Sequence, residues 1–344
     1  MLRPTDPEEG AGARHADKAA GSARRRRAGS GPLAAPLLQP AAADALVQLL
    51  DRLQMTDYDF VTPSNRTCRI IHRRRARARD LRDVLGWSLP FEPHVLTAGL
   101  ISLLEQAGAV REAHGELRAQ VRVSKVRGHL FVHSAFGARD PDTVFLGPDT
   151  YRFVRFIDEA LRDAGAIGSI AEIGAGSGAG IVCAAALTGA DRLWAGDVNP
   201  RALGLLAVNA RHAGLEVTLK QTDGLKGLSG QVDLILANPP FIASSGSLYS
   251  DGGSGLGSET ALAWASQAVG RLCPGGRLVL YSGAPITPEG DPLRAGLTRL
   301  ARREGLELRY DEIDPDIFSG ELERPEYATV ERISAVGAVL VRPG

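Results

Sequence analysis

Four short stretches in the second half of the chain carry residue types suited to chemistry, and they come in a set order. Glu172 lies in "EIGAGSGAG", where Gly174, Ala175, Gly176 and Gly178 let the backbone approach a ligand and open a helix whose N-terminus favours polar or anionic groups. Asp197 sits in "GDVNP", Asp223 in "TDG", and "ILANPPF" ends on Asn238, Pro239, Pro240 and Phe241. Two adjacent prolines cannot donate to a β ladder, so they end the strand that precedes them. The Asn238 side-chain oxygen and the Pro239 carbonyl accept N–H groups, the prolines fix the direction of that carbonyl, and Phe241 offers a face for stacking. Together these make a rigid exit with two acceptors and an aromatic face.

Each stretch must be held by the element before it. Apolar runs predict strands at 167–174, 192–198, 216–222 and 232–238, with helices at 151–165, 178–188, 200–213 and 259–272. Strands at 276–283, 306–312 and 335–342 and a helix at 291–304 follow. This alternation predicts an α/β fold, a Rossmann-like seven-stranded and mostly parallel sheet, with ligands bound at the carboxyl ends of the strands. The last two strands lack a helix between them and are expected to pair antiparallel at one edge.

The first half is less regular. Residues 1–32 have almost nothing to bury and read as a disordered tail with an arginine run at 24–27. Helical spacing at 41–53 and 94–110, then a hairpin made by "ELRAQVRVSKV" and "HLFVHSAF", predict a small α+β domain over 35–145, loosely winged-helix-like, ahead of a ligand-binding domain over 147–344. Residues 66–79 hold seven arginines and no acid, whereas 310–332 hold eight acids and two arginines. The region from Arg66 to Arg82 is a candidate nucleic-acid contact, a solvated face, or a partner for the acidic segment.

Composition removes several classes. The 344 residues carry a formal net charge of zero, so no global field favours a polyanion or a membrane. Cys68, Cys183 and Cys273 are widely spaced, which fits neither a disulfide framework nor a zinc site, and no metal site is expected. No run of 18 or more apolar residues occurs, and a soluble cytoplasmic protein is expected. Phosphate-loop, serine-elbow and H-E-x-x-H motifs are absent. Gly174-x-Gly176-x-x-Ala179, with Asp197 roughly 20 residues on, also matches the dinucleotide fingerprint, so a nicotinamide-dependent oxidoreductase competes. A hydride-transfer site has no use for Asn-Pro-Pro-aromatic. A ligand-sensing winged-helix regulator is the third alternative.

"EIGAGSGAG", "GDVNP", "TDG" and "ILANPPF" in this order resemble the class I S-adenosylmethionine-dependent methyltransferases. The similarity is to the Asn-Pro-Pro-aromatic branch of "methyltransferase small" type, which includes release-factor glutamine, N6-adenine and ribosomal guanine-N2 methyltransferases. It covers about 147–342. Phe241 is the aromatic common in the guanine-N2 enzymes, whereas "GPDTYRF" (147–153) and "YSDGGSGLG" (249–257) look like segments of the glutamine enzymes, with Tyr151 where those have Glu. The resemblance implies S-adenosyl-L-methionine as donor. It places Gly174, Ala175, Gly176 and Gly178 against the methionine and ribose portions, Asp197 on the ribose hydroxyls and Asp223 near the adenine. Glu172 would order the loop from below, and Asn238, also beside the donor, would hold the acceptor with Pro239, Pro240 and Phe241. The expected acceptor is an RNA base amine, a protein glutamine amide, or a small-molecule amine, amide or guanidine.

Overall fold

The structure is a computed structural model and describes residues 38–113, 115–138, 140–242 and 255–344. The expected tail at 1–32 and residues 249–254 of the Asp-Gly-Gly segment lie outside them. The chain begins with helices α1 (Pro40–Met55), α2 (Asn65–Arg74), α3 (Leu81–Leu85) and α4 (Ala98–Gln106). Two antiparallel hairpins follow, β1 (Val110–Ala113) with β2 (Glu116–Ala119), and β3 (Val121–Val126) with β4 (His129–Ser134).

Two expectations for this half are corrected. The helix predicted over 94–110 is a 3-10 turn at Pro93–Val95 and then α4, because the Thr97 side chain accepts from the Leu100 N–H and starts a new helix. Gly108, at φ +60°, ends the helix as its place in the sequence predicts and reverses the chain, so Val110 opens β1. "ELRA" consequently pairs with β1, and only "VRVSKV" pairs with "HLFVHS", around a turn at Arg127-Gly128. Helices α2 and α3 were not expected: α2 buries only Cys68, α3 is a short helix that buries Val84 and Leu85, and Ser64 and Asp80 cap their starts by accepting backbone N–H groups.

The second half follows the expected alternation through α5 (Pro148–Ala160), β5 (Ser169–Ile173), α6 (Ala179–Thr188), β6 (Arg192–Asp197), α7 (Pro200–His212), β7 (Val217–Gln221) and β8 (Val232–Ala237). It continues with α8 (Glu259–Val269), β9 (Leu272–Ile286), α9 (Pro292–Glu304), β10 (Glu307–Asp314) and β11 (Arg332–Val341). The seven strands stand in the order β10-β11-β9-β8-β5-β6-β7. Strands β5 to β9 run parallel; β11 is inserted antiparallel between β9 and β10, so the edge strand is β10 and the reversed strand is internal.

Period-2 alternation builds both faces of the sheet. Leu234, Leu236, Val279, Tyr281, Ala335 and Val339 point into a core closed by α5, α6 and α7. Their neighbours Ile235, Ala237, Leu278, Leu280, Val336 and Leu340 point into a second core closed by α8 and α9. Helix α7 is apolar on two sides. Leu206 and Ala210 join the sheet core, while Ala202, Leu205 and Val208 join Leu46, Leu49 and Leu50 of α1. Between these stripes lies Asn209, whose Oδ1 accepts from the Val132 N–H at 2.8 Å and whose Nδ2 donates to the carbonyls of Val132 at 3.1 Å and Ser177 at 2.8 Å. One buried amide therefore joins β4, α7 and the loop after β5. Asn209→Ala leaves three buried backbone groups without this partner, and the expected loss is about 2–4 kcal/mol of unfolding free energy, read from the denaturant midpoint at unchanged slope.

Candidate active site

Strand order reverses at β5, which has β6 and β7 on one side and β8 and β9 on the other. The register sets Ile173 opposite Ala237, so Gly174 and Asn238 leave the sheet side by side at this switch point. A cavity of about 500 Å³ opens there. Its lining includes Glu172, Gly174, Ala175, Gly176, Asn238, Pro239 and Phe241, which the sequence reading grouped, whereas Gly178, Asp197, Asp223 and Pro240 lie outside the lining.

The loop after β5 needs its glycines. Gly174, Gly176 and Gly178 have φ of +63°, +53° and +83°, and a Cβ on Gly174 would fall 2.3 Å from the Trp264 ring. Side chains tie the loop from beneath. Asp197 Oδ2 accepts from the Gly176 N–H at 2.8 Å, and its Oδ1 accepts from the Asn199 N–H at 2.8 Å. Glu172 Oε2 accepts from the Ile181 N–H at 2.7 Å, in the first turn of α6 and not in the loop itself. Asn199 caps α7 by accepting from the Arg201 N–H. Asp223 is exposed beyond β7, with Lys226 Nζ 3.8 Å away.

On the other wall, the Phe241 ring lies over β9 where Gly283 has no side chain; a Cβ there would come within 2.3 Å of it. Phe318, between β10 and β11, meets Phe241 edge to face at 5.4 Å. Asp149 and Thr150, in the segment that resembles the glutamine enzymes, also line the cavity; Asp149 accepts from the Tyr281 hydroxyl at 2.7 Å. Tyr151 points elsewhere, its hydroxyl accepting from the Thr62 N–H at 2.9 Å and joining α5 to the first half of the chain. Sequence reasoning missed Asn65, Ala138, Asp140, Thr143, Phe145 and Phe318 of the lining. Asn65 precedes the arginine-rich stretch, Ala138 follows the second hairpin and Phe145 precedes "GPDTYRF", but none carries a periodic signal.

The Arg-rich and acidic segments do not pair with each other in any described contact. Arg75 and Arg79 bond Asp83, and Arg77 bonds Glu92 and Glu116, while Asp314 bonds Arg152 and Glu312 bonds Arg332. Among the described residues no helix is long and apolar enough to cross a membrane.

A glycine loop and an Asn-Pro-Pro-Phe exit at adjacent strand ends, on a seven-stranded sheet with an inserted reversed strand, are the features of a Rossmann-like methyltransferase. The methyltransferase small domain family model matches residues 154–283. The chain is 30% identical over 225 residues to the release factor glutamine methyltransferase of Cereibacter sphaeroides, covering 60% of this chain and 78% of that one. It is 32% identical over 219 residues to that of Moorella thermoacetica, covering 58% and 76%. Among solved structures it is similar to the ribosomal protein L11 methylase of Lactobacillus delbrueckii subsp. bulgaricus, with a TM-score of 0.38, 18% identity, and 57% and 79% of the two chains covered. The chain belongs to the S-adenosylmethionine-dependent N-methyltransferase family of methyltransferase small type, together with the release factor glutamine methyltransferases. Membership sets aside the nicotinamide-dependent oxidoreductase and the non-enzymatic regulator.

Burial beneath the loop perturbs two carboxyls. Desolvation pushes Glu172 from 4.5 up to about 8, against the favourable Ile181 N–H, and Asp197 is raised by burial too. Below pH 4.5 Glu172 is neutral whether folded or unfolded; between 4.5 and 8 it ionises only on unfolding, so folding stability declines as pH rises through that window. Asp197 acts in the same direction. Glu172→Gln keeps an oxygen for the Ile181 N–H, and the expected result is a shallower fall of the melting temperature from pH 5 to pH 8, followed by calorimetry at constant ionic strength.

Proposed function

We propose that this chain methylates a trigonal nitrogen, and that a protein glutamine side chain is the acceptor. The observation that carries the reading is the shared cavity: the backbone of Gly174 to Gly176 forms one wall and Asn238, Pro239 and Phe241 another. The loop suits S-adenosyl-L-methionine, since a Cβ built on Gly176 would meet nothing within 4 Å and the backbone there faces open cavity. In this reading Gly174, Ala175, Gly176 and Gly178 cradle the methionine and ribose, Asp197 holds the ribose hydroxyls and the exposed Asp223 lies towards the adenine. Glu172 keeps α6 in place below.

When bound, the donor supplies an electrophilic methyl on a sulfonium, and the acceptor lone pair forms the N–C bond as the C–S bond breaks and its electron pair stays on sulfur. An amide nitrogen is a weak nucleophile because its lone pair is delocalised, so the protein's task is positioning and charge stabilisation. The Asn238 Oδ1 and the Pro239 carbonyl accept the two N–H groups of the amide, orient its lone pair and stabilise the positive charge that grows on nitrogen. Phe241, held against Gly283, supports the amide plane. The nitrogen then loses one proton to solvent without a dedicated base. Residues 35–145 recognise the acceptor: Asn65 at the start of α2 reaches the cavity, and Asn209 and Tyr151 hold this region to the methyltransferase fold.

One observation favours a second reading, an RNA base amine. Arg66, Arg69, Arg73 and Arg74 are exposed on α2, the helix that begins at the cavity-lining Asn65, and no ion pair engages them among the described residues, so a phosphate backbone would find free cations there. Methyl-labelled S-adenosylmethionine incubated with the protein and a cell extract separates the two. Label is expected in the protein fraction, as methylglutamine after mild hydrolysis; label in RNA selects the second reading. Asn238→Ala is expected to cut transfer by about 10²–10³-fold while S-adenosylhomocysteine binding, read by calorimetry, changes only a few-fold.

A further inference from the structure

Phe318 is built at odds with its backbone. Its φ of +54° and ψ of +34° lie in the left-handed region, which glycine or asparagine occupies readily and an aromatic residue does not. Burial does not account for the choice, because the residue stays 43% exposed. The flanking chain is well anchored. Ile317 is buried in the sheet core, its N–H donates to the Ile333 carbonyl at 2.8 Å, and the Phe318 carbonyl accepts from the Glu321 N–H at 2.8 Å. Beyond them, Arg332 Nη1 donates to the Pro315 carbonyl at 3.0 Å. This framework holds the left-handed turn and presents the ring to the cavity, where its edge-to-face contact at 5.4 Å also sets the orientation of Phe241. A strained position that is overdetermined by its surroundings and opens on a ligand cavity is where backbone strain is retained for function.

We infer that Phe318 is a specificity residue of the acceptor site: its ring extends the wall begun by Phe241, and the flat acceptor group packs on this aromatic pair while the donor occupies the glycine-loop side. This deepens the N-methyltransferase reading and rests on it. The ring touches the acceptor and not the donor, so its removal acts on acceptor capture. The strain belongs to the backbone, so stability and activity are separable at this one position.

The test compares the full-length protein with Phe318→Ala, Phe318→Gly, Phe318→Tyr and Asn238→Ala. Three quantities are read: S-adenosylhomocysteine affinity, melting temperature, and label transfer from S-adenosylmethionine into a cell extract titrated over a wide concentration range. For Phe318→Ala and Phe318→Gly, transfer at low extract is expected to fall about fivefold to tenfold and to recover at high extract, with S-adenosylhomocysteine affinity within twofold. Phe318→Gly is expected to melt above Phe318→Ala, since glycine relieves the left-handed strain, yet to transfer no better. Phe318→Tyr, which keeps the ring, is expected to stay near the parent. If transfer instead follows melting temperature across the series, or if Phe318→Ala matches the parent at low extract while Asn238→Ala does not, the role given to Phe318 is wrong and the N-methyltransferase reading survives. If the parent binds S-adenosylhomocysteine but labels nothing, or labels equally without Asn238, the reading itself fails and this inference with it.

Discussion

The parallel pairing of β5 with β8, with Ile173 opposite Ala237, is the constraint on which the site depends. Neighbouring strands lie about 4.8 Å apart, so residues that leave two paired strands at the same level begin within reach of one another. Gly174 and Asn238 are such a pair. Residue types on both sides follow from it. The chain after β5 must turn at once into α6, which takes three glycines at positive φ; the chain after β8 must stop pairing, which takes two prolines. A slip of one residue would turn every side chain of β8 to the wrong face, and the two distinct cores against Leu234 and Ile235 make such a slip costly.

Side chains then convert this proximity into a rigid shape. Asp197, from the next strand over, takes the Gly176 N–H, and Glu172, from β5 itself, takes the Ile181 N–H. Both carboxyls sit under the loop in low dielectric, and burial raises the proton affinity of each. Asp197 fixes the loop backbone and Glu172, itself in the cavity lining, fixes the first turn of α6. From further away, Asn209 ties the Ser177 carbonyl to β4, so the first half of the chain helps to hold the loop. The same half supplies Asn65 and Phe145 to the cavity rim, which makes the site a product of both halves.

Net charge was a poor guide to where charge acts. The acidic stretch at 310–332 is largely occupied locally: Arg332 bonds Glu312, and Arg324 bonds Glu321. Its contribution to the cavity is apolar, through Phe318. The arginine stretch divides likewise, with Arg75, Arg77 and Arg79 spent on holding the fold and the α2 arginines left at the surface.

Much of the fold was written in local pattern. Continuous apolar runs at 167–174, 192–198 and 232–238, helical spacing between them, and glycine or proline at the exits are properties of neighbours in sequence, and local sterics and burial translate them almost directly into elements. The class of chemistry was legible for the same reason, since Gly174 to Gly178 and Asn238 to Phe241 each declare themselves within a few residues. Where burial is slight or a cap decides, pattern failed: α2 buries only Cys68, and the Thr97 cap starts the helix expected from residue 94 only at Ala98, after a separate 3-10 turn. The insertion of β11 between β9 and β10, the clasp made by Asn209, and the arrival of Asn65, Phe145 and Phe318 at one cavity were decided only by the tertiary structure. These contacts join residues far apart along the chain, and their energy depends on packing against partners that no window of sequence contains.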